Sequence, residues 1–174
     1  MSALAGAITA VGGLALYAGH HAGDYWVQTD EQARCKGNAG MEGIKACAMH
    51  VATYTLTQAA FLGVAFWATG LRWDLLALLV ALSVSAITHY LADRREYGIM
   101  FRLARMLPGK ARFLMLGVPR AYMIYAQSTE ASPTPHGPIP LDNPSLGTGA
   151  WALDQSWHIV FGVFIPALIL GGMS

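Results

Sequence analysis

Charge is scarce in this sequence. Asp, Glu, Lys and Arg make up 12% of its 174 residues, about half the share of a typical soluble domain. Hydrophobic residues make up 55% and the mean hydropathy is +0.41. There is too little polar surface to cover a water-exposed globule, which excludes an ordinary soluble domain. Cysteine is scarce too: Cys35 and Cys47 lie on one connection. They suit a disulfide on an oxidising side of a membrane and free thiols on a reducing one. The formal net charge of +1 by itself argues neither for nor against nucleic acid, and no nucleic-acid partner is expected.

What the chain does have is long uncharged runs. Four are long enough to cross a bilayer, which takes about 20 apolar residues: residues 3–22, 46–71, 75–92 and 153–172. Lipid offers no partner to unpaired backbone groups, so these runs are expected to be helices. The expectation is an all-α polytopic membrane protein, a single domain over 1–174 built as a four-helix transmembrane bundle. No Lys or Arg precedes the first run, so it reads as a retained span rather than a signal peptide.

Four spans put the connections 24–45 and 94–150 on one side. Both termini and the short turn at 69–74 fall on the other. Of the 11 Lys and Arg residues, Arg72 alone falls on the side of the termini. The long loops carry the rest, so they are expected in the cytoplasm of a bacterial inner membrane, with both termini outside. In the second loop, "RREYGIMFRLARML" sets Arg95, Arg102 and Arg105 on one helical stripe, which suggests an additional interfacial helix along the headgroups. An extension of the third span packed on protein is the alternative. The apolar stretch 111–127 is broken by Pro119 and Arg120 and reads as a re-entrant or interfacial piece. The segment after it is rich in proline and expected to be irregular.

Polar residues recur at the cytoplasmic helix ends. His20, Asp24 and Gln28, four apart, share one face at the end of the first span. His50 opens the second, His89 and Asp93 close the third, and Asp154 and His158 open the fourth. Ionisable groups in membrane helices are expensive and normally face the bundle interior and pair. Four histidines and three aspartates at one depth therefore point to a shared metal site. Imidazole with carboxylate suits Zn best, with Mn or Fe as alternatives. Seven groups exceed the four donors of one tetrahedral zinc, so either two ions bind or some aspartates only orient histidines. Each piece also has a plainer explanation: interfacial polar trim for a single pair, an N-cap for Asp154, packing for His21 and Cys47, solvation for His136. Gly19 and Gly23 form a small-xxx-small pair suited to close helix packing.

"HHAGDYWVQTD", the histidine early in the second span, "HYLAD" and "DQSWH" together resemble a bacterial and phage polytopic membrane family, domain of unknown function 3307. The resemblance covers most of the chain apart from the proline-rich loop and the linker before it, and it implies no established activity. The plan is more loosely similar to membrane-bound metal-dependent hydrolases.

The functional expectation is a metal-dependent enzyme, a hydrolase of a lipid or lipid-phosphate at the cytoplasmic face. His20, His50, His89 and His158 serve as ligands. Asp24, Asp93 and Asp154 serve as ligands, orienting groups or general base. Arg94 and Arg95 either clamp a phosphate or form an ordinary basic flank. Membrane lipid is the expected partner, and a homo-oligomer is compatible with the composition. The alternatives are a non-enzymatic module (a scaffold, or a metal or proton pathway) and a haem-binding bundle.

Overall fold

The computed structural model describes residues 2–114 and 149–174, and the described residues are helical with no strand. The apolar stretch after residue 114, the proline-rich loop and His136 lie outside them. Helix α1 is Ala3–Ala22 and runs on through a π turn at Gly23–Val27. A short helix α2, Asp30–Cys35, leads to α3, Gly40–Thr69, and α4, Leu75–Asp93. Two short helices follow, α5 at Met100–Met106 and α6 at Lys110–Leu114. The last rod comprises α7, Gly149–Ile159, a π turn at Val160–Phe164, and α8, Ile165–Gly172. Four rods, Ala3–Val27, Gly40–Thr69, Leu75–Asp93 and Gly149–Gly172, are long and apolar enough to span a membrane. This is a polytopic membrane protein.

Local signals set the ends. Ser2 caps α1 by accepting from the Ala5 amide at 3.1 Å, and Asp74 caps α4 by accepting from Ala77 at 2.9 Å. Gly70, at φ 69, ends α3 in the left-handed conformation that glycine takes without penalty. The second rod starts six residues earlier than hydropathy alone suggests, because its first turns pack on α2 rather than on lipid.

The rods form a ring in which α1 packs on α3 and α8, and α4 packs on α3 and α8. At the end near both termini the interior is dry. Ile8, Leu16, Leu62, Phe66, Ala167 and Leu170 fill it. Large apolar side chains such as Leu14, Leu56, Val64 and Leu76 point outward, as lipid contact requires. Midway sits one polar network. Gln58 Nε2 donates to Gly162 O at 3.1 Å and to Tyr54 Oη at 2.9 Å, while Ser85 Oγ donates to Gln58 Oε1 at 2.7 Å. Pro166, four residues on, has no N–H to give that Gly162 carbonyl, which leaves it open to Gln58 and Ser85.

The basic stripe expected after α4 forms without its first member, Arg95. A Cβ at Gly98 would lie 2.0 Å from the Leu91 carbonyl, so the backbone folds back tightly there, and the Ile99 amide donates to that carbonyl at 3.1 Å. Arg95 is left buried in a 3₁₀ turn, whereas Arg102 and Arg105 lie exposed on the separate helix α5. The turn removes Arg95 from the stripe and rules out an extension of the third span, while α5 stands as an additional helical segment that carries Arg102 and Arg105.

Close packing of α1 on α3 depends on glycine. A Cβ on Gly19 would meet the Gln58 Cα at 2.9 Å, where backbone has nowhere to move. Gly19→Ala should lower the melting temperature in detergent by on the order of 5 °C, the effect of overpacking by about 1–3 kcal/mol. Gly63 faces open space, so Gly63→Ala should be neutral or slightly stabilising in the same melt; equal losses in both would remove the packing argument.

Candidate metal centre

All four spans deliver ionisable side chains to the end of the bundle away from the termini. The four-residue spacing does in space what it promises in sequence: His20 Nδ1 lies 3.4 Å from Asp24 Oδ2, His89 Nε2 lies 3.1 Å from Asp93 Oδ2, and His158 Nε2 lies 3.6 Å from Asp154 Oδ2. Packing of the rods then joins these pairs into one cluster. His50 Nε2 is 2.9 Å from His89 Nε2 and 3.1 Å from Asp93 Oδ2. Asp24 Oδ1 lies 3.5 Å from both His50 Nε2 and His89 Nε2. His20, His50, His89 and His158 are all fully or nearly fully buried.

These separations fit a cation. Donors about 2.1 Å from an ion stand about 3.0 Å apart in octahedral and about 3.4 Å apart in tetrahedral geometry. The separations just given among His50, His89, Asp93 and Asp24 span that range. Asp24 Oδ1 is also buried without a hydrogen-bond donor, an expensive state that a cation would relieve. Two nitrogens 2.9 Å apart share at most one proton as a hydrogen bond, whereas both lone pairs can serve one ion.

One feature departs from ordinary metal sites. Ligating imidazoles usually donate their other ring N–H to a carbonyl or carboxylate, but Nδ1 of His50, His89 and His158 is buried without a partner. Ring packing holds them instead. The Tyr54 ring lies 3.8 Å from that of His89, centroid to centroid, and His89 stacks on His158 at 4.1 Å. This close packing leaves no slot for a macrocycle between facing histidines, which removes support from the haem alternative.

A cleft of about 190 Å³ reaches the cluster, lined by Asp24, Gln28, Lys36, Asp93, Arg95 and Asp154 among others. Lys36 went unnoticed in the sequence. Its Nζ meets Asp93 Oδ2 at 2.9 Å. Burial works against the ammonium, but the carboxylates of Asp93, Asp24 and Asp154 outweigh it and hold the Lys36 pKa above the usual lysine value. Gln155 was also missed, and its Oε1 lies 3.4 Å from His20 Nε2. Tyr54, four residues after His50, floors the cluster. No spacing rule singles out Lys36, because its contact arises only when the connection folds back over the bundle.

Arg94 and Arg95 perform that folding. Arg94 donates from Nη1 to Lys36 O at 2.8 Å and from Nη2 to Asn38 O at 2.9 Å, and Arg95 Nη2 donates to Ala33 O at 3.2 Å. Arg94 is thereby occupied in holding backbone rather than a phosphate. Arg95 anchors α2 and also lines the cleft. Gly43 lies against the Asn38 carbonyl, 2.0 Å from where a Cβ would stand, with Arg94 Nη1 next at 2.5 Å, and Gly37 lies under the Arg95 side chain. Cys47 is buried with its thiol 3.9 Å from Tyr90 O, and both cysteines are free. His21 stays outside the cluster, its ring stacked on Tyr25.

No family model, curated protein or solved structure matches the chain. The reading of the site therefore rests on its own geometry.

The Arg94 fork can be tested on its own. Arg94→Lys has one ammonium to reach two carbonyls, so amide exchange across 30–39 should quicken roughly 10–100-fold, the loss of a charged hydrogen bond worth about 1.5–3 kcal/mol. Hydrogen exchange read by mass spectrometry checks this, and unchanged protection there would mean that α2 is held by something else.

Proposed function

We propose that the chain is a membrane-embedded metal-dependent hydrolase acting on a lipid or lipid-phosphate at the cytoplasmic face of a bacterial inner membrane. The observation that carries this reading is the convergence of His50 Nε2, His89 Nε2 and Asp93 Oδ2 at 2.9 to 3.1 Å beside an open cleft, with Asp24 Oδ1 3.5 Å from both nitrogens. Zinc suits the nitrogen and oxygen donors best, with manganese or iron as alternatives. When bound, such an ion polarises a phosphoryl or acyl oxygen and acidifies a water.

The chain's own residues supply the rest. Lys36 and Arg95 bring positive charge to the cleft wall, which favours a phosphorylated headgroup over a neutral one. Asp154, 16% exposed, is the carboxylate placed to accept a proton from attacking water. In the resulting hydrolysis a bond forms between water oxygen and phosphorus, the ester P–O bond breaks, and the leaving alkoxide takes up a proton. Tyr54 and the apolar helices behind it keep other water away. The topology supports the cytoplasmic assignment, since the site lies at the end that bears the lysine- and arginine-rich connections.

A pathway across the membrane has less behind it. Polar side chains continue from the cluster to Tyr54, Gln58 and Ser85, then give way to Leu16, Leu62 and Phe66. Ion or proton conduction calls for polar groups through the full thickness.

Detergent-purified protein should retain zinc by elemental analysis and hydrolyse a phospholipid or isoprenoid-phosphate substrate, with release of inorganic phosphate where that substrate is a phosphomonoester. His89→Ala should lose both metal and turnover, the latter by at least about 100-fold. Full metal content in that variant would overturn the ligand assignment. A metal-free wild type would overturn the enzyme reading altogether.

A further inference from the structure

Asp93 presents its two oxygens to different partners. Oδ2 faces His50 and His89, as described. Oδ1 lies 3.7 Å from His158 Nε2, and that same nitrogen lies 3.6 Å from Asp154 Oδ2. Asp93, Asp154 and His158 each offer one donor atom within 4.8 Å of the others, as His50, His89 and Asp93 do. A carboxylate with one donor set on each oxygen has the arrangement of a bridge between two ions, which in two-metal sites stand about 3.5–4 Å apart.

We propose that the cluster is a dinuclear centre, with a second divalent cation held by His158 Nε2, Asp154 and Asp93 Oδ1. The proposal rests on the ligand assignment of the first ion and extends it. The two sites differ in exposure. His50, His89 and Asp93 Oδ2 give the first ion three donors, from residues at most 3% exposed. The second also has three, and two of them, Asp93 and Asp154, line the cleft, Asp154 being 16% exposed. Three protein donors leave a position for water or substrate, and at the second ion that position opens on the cleft, where the headgroup enters.

Charge points the same way. Asp24, Asp93 and Asp154 bring three formal negative charges to one buried cluster, and Lys36 supplies one positive charge in direct contact with it. Uncompensated carboxylates at membrane level are costly, and two dications between four imidazoles and three carboxylates is an ordinary composition for a bridged centre. The third close donor set, His20 with Asp24 and His89, shares His89 with the first ion, and one imidazole lone pair serves one ion, so it adds no third centre. His20 instead spans Asp24 Oδ2 and Gln155 Oε1, at 3.4 Å from each, and so positions Asp24. The competing explanation is a proton on His158 that pairs it with both aspartates, with no second ion.

Metal stoichiometry separates these. Full-length protein in detergent, stripped with chelator and reloaded with Zn²⁺ alone, should hold about two ions per chain, and Mn²⁺ loading should give an exchange-coupled electron paramagnetic resonance spectrum. His158→Gln and Asp154→Asn should each hold one ion per chain and give the six-line spectrum of isolated Mn²⁺. Asp154 is partly exposed and Asn keeps its size, so that variant stands even where His158→Gln does not fold. One ion in the wild type, two ions without coupling, or two ions retained in a folded Asp154→Asn would each overturn the second site. Of these, the single-ion result leaves the proposed hydrolase standing, whereas a wild type that binds none removes both.

Discussion

Asp93 ends an apolar helix and is 3% exposed, so protein groups rather than water have to satisfy its carboxylate. Much of the structure at that end of the bundle follows from this. His50 and His89 approach one oxygen, His158 approaches the other, and Lys36 reaches back from the connection after the first span to make a salt bridge. That lysine arrives only because the chain around it is pinned. Arg94 and Arg95, the next two residues after Asp93, hold the carbonyls of Ala33, Lys36 and Asn38. One turn of sequence thus supplies the buried acid and the clamps that bring its counter-charge. Arg95 takes a φ of 50, a left-handed conformation that costs a non-glycine residue about 1 kcal/mol or more, and its several contacts offset that strain.

The bundle has two tiers with different physics. The tier near the termini is held by dispersion and by glycine-mediated helix approach, since lipid gives little hydrophobic drive to helix association. The tier near the cleft is polar, and the Gln58–Ser85–Gly162 network marks the boundary between them. Both π turns belong to the polar tier. One carries Asp24, and the other follows His158 and contains Gly162, whose carbonyl Gln58 and Ser85 use. Such insertions sit commonly at functional sites because they re-aim side chains that a regular helix would direct elsewhere.

The helix count, the shared depth of the histidines and the pairing of His20, His89 and His158 with their aspartates were legible in the sequence. Hydropathy and a spacing of four are local quantities, and membrane helices preserve them. Lys36, Tyr54 and Gln155 were not legible, because their roles depend on how separate rods rotate and on a connection that folds back. The cap of α2 shows a subtler gap. Thr29 and Gln32 form a reciprocal capping box within a stretch that reads by composition as a plain loop. The stripe expected through Arg95, Arg102 and Arg105 lost Arg95 at Gly98, where tertiary contact with the Leu91 carbonyl overrode helical periodicity.

Stability alone gives no reason to keep this cluster. Buried charges and imidazoles are poor stabilisers, and apolar residues of similar volume often do better. The same bundle shows that alternative at its other end, where Leu62, Phe66 and Leu170 close the interior without a polar atom. Structural polarity, where the fold does use it, is satisfied: the Gln58 amide and the Ser85 hydroxyl all find partners. In the histidine cluster, by contrast, Asp24 Oδ1 goes without a hydrogen bond and His50 and His89 turn their Nε2 atoms on each other at 2.9 Å, with stacked rings rather than donors fixing the orientation. A polar group built for stability is paired within the protein; one left with lone pairs aimed at its neighbours is arranged for something that binds between them. That contrast inside a single small bundle is the physical argument for the proposed cation centre, and the cleft beside Asp154 would open it to a headgroup.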